Sequence, residues 1–163
     1  MDSGIKDWLV LFGTPGVGKT TVARSMQEYG YYYYEADEDL LPEVIELNRN
    51  NEGLTPEIRD RQHTVIFNRV KSLTSEHDRF VMAYDFMWDR YRRKLYEMIP
   101  ELRWVYLTVD KESLRKRVYR PGHILTPEFA MEIYERFEEP SFSVQRVDAS
   151  KRVELVVAEV LGI

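Results

Sequence analysis

Short runs of apolar and β-rich residues stand at 8–12, 31–36, 80–84, 103–109 and 144–148, each long enough for one strand and too short for a buried helix. The stretches between them carry helical spacing. Positions 17–29 follow the first run, a helix is expected from about Leu40, and Ile58, Val65, Ile66, Val70 and Leu73 mark one face of a long helix after Gly53. Residues 89–98, the segment after Asp110, 126–138 and 151–161 complete the set. Strands alternating with helices predict a parallel sheet covered on both faces.

Punctuation supports these bounds. Thr55-Pro56-Glu57 and Thr126-Pro127-Glu128 both place a capping hydroxyl before a proline at the first helical position, and Asp110 is set to cap the helix that follows it. Residues 48–53 read as a loop, and the tyrosine run 31–34 is a strand rather than a biased tract. With 163 residues and no linker or internal repeat, the chain is expected to be one domain over 1–163.

The first apolar run ends in Gly13-Thr14-Pro15-Gly16-Val17-Gly18-Lys19-Thr20, the full G-x-x-x-x-G-K-[ST] pattern in its strand–loop–helix setting. The glycines at 13, 16 and 18 permit backbone conformations in which successive N–H groups turn inward around a phosphate, and the helix N-terminus adds partial positive charge. Lys19 is expected to reach the β- and γ-phosphates and Thr20 to hold Mg²⁺, with residues 13–21, Thr21 included, forming the ATP cradle.

Ligands of open parallel sheets bind at the carboxyl ends of the strands, which selects Asp37, Asp39, Asp85 and Asp148 as rim residues. Asp37 and Asp39 can divide two tasks, ordering Mg²⁺ and accepting a proton from the attacking hydroxyl. Asp85 is a candidate for either metal or substrate. Arg115, Lys116, Arg117 and Arg120 precede Pro121-Gly122, so a cationic helix end runs into a turn able to close over a triphosphate; Arg117 and Arg120 are the preferred pair. Arg59 is a substrate candidate on the long helix. His63 reads as a surface helix residue, and with His77 and His123 it has no metal-ligand spacing. Arg90, Arg92, Arg93 and Lys94 beside Trp88, Tyr91 and Tyr96 read as a solvated helix face.

Net charge of −5 argues against nucleic acid as a partner, and the absence of cysteine suits a cytoplasmic protein that uses neither disulfides nor a thiol nucleophile. No apolar stretch reaches the roughly 20 residues of a membrane span, and Met1-Asp2-Ser3 lacks the features of a signal peptide. Membrane association is not expected. A monomer or homodimer is.

The ordered motifs resemble the small phosphate-loop kinases, specifically the gluconate kinases and the related shikimate kinases. Beyond the phosphate loop, ADEDLLP at 36–42 resembles their D-x-D segment, EGLTPEIRDR at 52–61 and DRYRRKL at 89–95 are similar to gluconate-kinase stretches, RVYRPGHIL at 117–125 is similar to their lid, and IYERFEEP at 133–140 to their F-E-x-L-E-x-P stretch. The resemblance implies an α/β P-loop kinase fold. It further implies a five-stranded parallel sheet in the order 2-3-1-4-5, an Arg-bearing lid over about 115–137, and ATP-dependent phosphorylation of a small hydroxyl compound. It assigns Asp37 to the Mg²⁺ shell, Asp39 to the substrate hydroxyl, Arg59 to an anionic part of the substrate, and Arg117 with Arg120 to the transferring phosphate. The chain departs from gluconate kinases at Asp85-Phe86-Met87-Trp88-Asp89, where they carry Ser-Ala-Leu-Lys-Lys, and at Pro42, where they tend to carry His. Shikimate kinases have three glycines near Ala83-Tyr84-Asp85.

The expected activity is transfer of the γ-phosphoryl group of ATP to a sugar acid or polyol. Two alternatives stay open: a nucleoside or nucleoside-monophosphate kinase, and a domain that binds ATP without transferring phosphate.

Overall fold

β1 (Asp7–Phe12) is the middle strand of a five-stranded sheet, paired in parallel with β3 (Arg79–Ala83) on one side and β4 (Arg103–Thr108) on the other. β2 (Tyr32–Glu35) extends it beyond β3, and β5 (Gln145–Asp148) beyond β4, all parallel. The order is 2-3-1-4-5, as the family resemblance implies. This computed structural model describes residues 4–119 and 126–163.

Alternation along β1 divides the core in two. Leu9 and Leu11 join one cluster with Val22, Ala23 and Met26 of α1 (Lys19–Met26), Leu114 and Val118 of α5 (Lys111–Val118), and Val156, Val157 and Val160 of α7 (Val153–Leu161). Trp8, Val10 and Phe12 join a second, aromatic-rich cluster with Ile66, Phe67 and Val70 of α3 (Pro56–Glu76) and Tyr91 and Leu95 of α4 (Asp89–Met98). Each fully buried Leu or Phe here contributes about 1.5–3 kcal/mol. Two further helices, α2 (Pro42–Arg49) and α6 (Pro127–Arg136), stand near the carboxyl ends of the strands, α6 adding Ala130 to the first cluster.

Both expected Thr-Pro caps form: Thr55 accepts from the N–H of Ile58, and Thr126 from that of Phe129. Asp110 caps α5 through Ser113 N–H at 2.8 Å. Two boundaries differ from the sequence reading. The first helix gives way after Met26 to a 3₁₀ turn, Gln27–Tyr29, closed by Gly30 at φ 87°. The second strand stops at Glu35, and Ala36–Asp39 is another 3₁₀ turn. With three residues per turn, side chains two apart point about 120° apart, so Asp37 and Asp39 leave this turn in different directions.

On the helix face expected to be solvated, Arg90, Arg93 and Lys94 are exposed and one cation is not. Arg92, expected on a solvated face, is 0% exposed. Its guanidinium lies between the rings of Phe12 and Phe137, 5.1 and 5.3 Å from their centroids, and donates to the carbonyls of Phe86 (2.8 Å) and Glu138, with Asp89 beside it at 3.3 Å. It therefore fastens the β3–α4 connection to the segment after α6. That connection includes Phe86 at φ 47°, a left-handed conformation costly for a bulky side chain.

Candidate functional site

The phosphate loop follows β1 directly. A Cβ at Gly13 would lie 2.4 Å from the Leu107 carbonyl oxygen, and Gly16 and Gly18 hold φ values of 92° and 98°, so the loop's path depends on glycine at these places. Thr14, Pro15 and Val17 are buried beneath it, whereas Thr21 is exposed on α1. Lys19 is drawn inward. Its ammonium donates to the carbonyls of Gly13 (2.9 Å) and Thr14 (3.0 Å) and meets Asp85 Oδ1 at 2.7 Å, with only 10% of the side chain exposed.

Asp85 is delivered by the end of β3, and its carbonyl accepts the Gly13 N–H at 3.4 Å, so the carboxylate and the phosphate loop are built on one another. On the other side of the lysine, Thr20 Oγ1 donates to Glu35 Oε2 at 2.8 Å, and Tyr33 hydroxyl donates to the same oxygen. Glu35 was not among the residues expected at the site. Its position at the last residue of β2, at the same rim as Asp37, was the available signal.

Asp37 completes an acidic cluster around Lys19. Its residue surface is open along the cavity wall, yet protein surrounds the carboxyl on its other sides. Loss of water is the largest influence, the charges of Asp85 and Glu35 add to it, and Lys19 opposes them; the outcome raises the carboxyl to about 7.

Asp39 does not join this cluster. Its carboxylate accepts from the Tyr34 hydroxyl at 2.7 Å and from Arg69 Nε at 3.3 Å on the far side of the 3₁₀ turn, and its backbone carbonyl accepts from Gln62. The paired role expected for the two aspartates is thus not supported by their placement, for the geometric reason given above.

Next to the cluster opens a cavity of about 280 Å³, lined by Asp37 and Asp85 at the phosphate-loop end and by parts of α2, α3, α6 and the β3–α4 connection. Arg59 lines it as the sequence suggests. The Arg59 guanidinium stacks on Trp88 with 3.6 Å from its carbon to the ring centroid and donates to the Leu54 carbonyl at 3.2 Å, while its Nε is buried without a partner among the described residues. His63, read from the sequence as a surface residue, lies 2% exposed in the same wall. Its ring stacks on Tyr91 with centroids 3.8 Å apart, and Nδ1 lies 2.7 Å from the Arg59 carbonyl. A carbonyl only accepts, so Nδ1 carries the proton and Nε2, which has no partner among the described residues, is a lone-pair acceptor. Burial is the main reason its titration is pulled down to about 4, so the ring is neutral near pH 7.

Arg117 reaches the phosphate loop as expected, but its guanidinium is fastened there, donating to the carbonyls of Val17 (2.9 Å) and Ala149 (2.8 Å). Arg120 and the lid turn fall outside the described residues. Asp148, the remaining rim carboxylate, accepts the Ser150 N–H at 2.9 Å and does not line the cavity. Among the described residues no group of three or more acidic, His or Cys side chains forms a metal cage by itself. A hydroxyl with one or two carboxylates is nevertheless the donor set that suits Mg²⁺ when phosphates supply further ligands, and Thr20, Glu35 and Asp37 provide it. No helix among the described residues is long and apolar enough to cross a membrane.

Comparison with known proteins agrees with this arrangement. No curated protein matches the sequence. Among solved structures, a gluconokinase from Sinorhizobium meliloti 1021 superposes with a TM-score of 0.83 at 26% identity, over 97% of this chain and 91% of that one. A sugar kinase from Janibacter sp. HTCC2649 gives 0.86 at 24% identity over 96% and 93%, and shikimate kinase from Aquifex aeolicus gives 0.56 at 20% over 94% and 92%. The family model described as AAA domain matches residues 9–135, a span from β1 to α6 that takes in the phosphate loop, the acidic cluster and the cavity. The chain therefore belongs to the AAA domain family, and its fold is that of the small phosphate-loop kinases.

Proposed function

We propose that this protein transfers the γ-phosphoryl group of ATP to a hydroxyl of a small metabolite held in the 280 Å³ cavity. The observation that carries the reading is the meeting of three things at one point: a glycine-dependent phosphate loop with its lysine, a carboxyl raised toward neutrality, and a pocket opening beside both. The gluconokinase and sugar kinase neighbours make a sugar acid or polyol the first acceptor class to test.

In this reading the loop N–H groups and Lys19 bind the β- and γ-phosphates, and Lys19 exchanges some of its present carbonyl and carboxylate partners for phosphate oxygens. Thr20 and Glu35, with Asp37 close by, would hold Mg²⁺, which when bound supplies charge neutralisation across the phosphates. Asp37 takes the proton from the attacking hydroxyl. It is favoured over Asp39 because it lines the cavity and its titration is moved toward the pH at which a general base is most effective, whereas Asp39 is engaged by Tyr34 and Arg69. Arg117 holds the loop from behind through Val17.

The test is acceptor-dependent ADP release from Mg·ATP across sugar acids, polyols, nucleosides and nucleoside monophosphates, with Lys19→Met alongside and each product identified by mass. Release with a hydroxyl acceptor, lost in the variant, supports the reading. Equal release in the variant overturns it, and ATP binding with no release under any acceptor favours the binding-module alternative.

A further inference from the structure

Tyr84, Asp85 and Phe86 leave β3 in succession and do different work. The Tyr84 N–H donates to the Leu11 carbonyl at 3.1 Å and so ends the sheet ladder. Asp85 turns its carboxylate to Lys19 at 2.7 Å and its carbonyl to the Gly13 N–H. Phe86 sends its ring back into the core, 0% exposed, edge-on to Tyr84 and Trp104. It does so at φ 47°, where a Cβ crowds the backbone. A benzyl side chain makes none of the local hydrogen bonds that let Asn or Asp adopt this conformation, so the turn is held from outside.

Arg92 is what holds it. One arm of its buried guanidinium donates to the Phe86 carbonyl at 2.8 Å and another to the carbonyl of Glu138. Bonds from a charged donor are the stronger kind, and a planar fork can grip both oxygens at once where an ammonium on the same stem could not. Neighbouring contacts extend the grip. The Glu138 N–H donates to the Met87 carbonyl at 3.1 Å, the Asp89 N–H to Glu138 Oε1 at 2.8 Å, and the Ser141 N–H to Asp89 Oδ1 at 3.1 Å. The segment held in this way leaves the end of α6, the helix whose Phe129, Glu132, Ile133 and Arg136 line the cavity. Arg92 itself does not line the cavity and makes no hydrogen bond to the phosphate loop.

We propose that Arg92 is a positioning residue for the phosphate end of the site: its grip on the Phe86 carbonyl holds the left-handed turn that fixes Asp85 against Lys19 and Gly13, and its grip on Glu138 ties that turn to α6. This goes beyond the kinase reading, because it concerns how the loop and its carboxylate are held and not what is transferred.

The first readout needs no ligand. Hydrogen exchange of the Gly13 amide, whose acceptor is the Asp85 carbonyl, is followed by NMR in the full chain. Arg92→Lys, which keeps the charge and loses the fork, should speed it by about tenfold or more, while Asp85→Asn, which keeps the carbonyl, should leave it unchanged. The second readout is affinity for a non-hydrolysable ATP analogue with Mg²⁺. Asp85→Asn should shift it by about threefold or more, Arg92→Lys should shift it in the same direction, and the double variant should shift it no further than the larger single change, because Arg92 acts through Asp85. Additive shifts overturn the proposal, as does unchanged Gly13 exchange in folded Arg92→Lys. If Arg92→Lys does not fold, Asp89→Asn, which loosens Arg92 and Ser141 together, carries the same two readouts with the same signs and smaller shifts. An unsubstituted chain that binds no ATP analogue would overturn the nucleotide reading, and Gly13 exchange alone would then decide the role of Arg92.

Discussion

The two ends of the site are built by different means. At the phosphate end, eight consecutive residues fix the geometry, because the ligands are main-chain N–H groups whose direction glycine controls. At the acceptor end the wall is gathered from α2, α3, α6 and the β3–α4 connection, with contributors spread from Asp37 to Arg136. One end is a local property of the sequence. The other exists only once the sheet is assembled, so it is free to vary while the phosphate end is not, and a family can keep its chemistry while changing its substrate.

The sharpest way to break this contrast is at Lys19. Its replacement by Met should lower turnover by about 10²–10³-fold with any acceptor, since every acceptor draws on the same phosphate loop. Steady-state kinetics with an intact circular dichroism spectrum would check it, and a loss confined to one acceptor would show that the two ends are not separable.

Asp37 sits where the ends meet. Asp37→Asn should cost about 10²–10³-fold in turnover. In the unsubstituted protein, kcat/KM should fall as pH drops below about 7, where this raised carboxyl takes up a proton, and the fall should be absent from whatever activity the variant retains. A profile flat from pH 5 to 8 would remove Asp37 as the base.

At the acceptor end, His63 gives a stability signal. Its titration is pulled down to about 4 in the fold from the usual 6.5, so between these values the unfolded chain binds a proton that the folded chain does not. Stability therefore falls as pH falls from 6.5 toward 4, by about 3 kcal/mol over the window. His63→Phe should lack that step in urea denaturation across the same range; an unchanged step would place the titrating group elsewhere.

The smallest effect is expected at Asp39. Asp39→Asn should alter turnover less than about threefold and cost no more than about 1 kcal/mol of stability, because it breaks one partly exposed pair with Arg69 and weakens one bond from Tyr34. A loss matching that of Asp37→Asn would restore the shared role that the 3₁₀ turn separates.

These same residues mark the limits of the sequence. The strands, the capped helices and the phosphate loop were legible because apolar periodicity, Thr-Pro caps and glycine spacing are local signals, whereas the strand order followed only from the family resemblance. Asp37 and Asp85 were legible as strand-end residues. The turn that parts Asp37 from Asp39 was not, since a D-x-D spacing has no fixed geometry until the backbone is known. His63 and Arg92 were misplaced for one reason: each is polar on a helix with polar neighbours, and only the aromatic surroundings assembled from distant segments bury them. Glu35 was hidden because its partner Thr20 lies on another element.

Phosphorus NMR of the complete reaction with Mg·ATP and a bound hydroxyl acceptor tests the central claim most directly. ADP and a new phosphomonoester resonance growing in equal amounts is the expected result. Inorganic phosphate alone, or AMP with pyrophosphate, would contradict it.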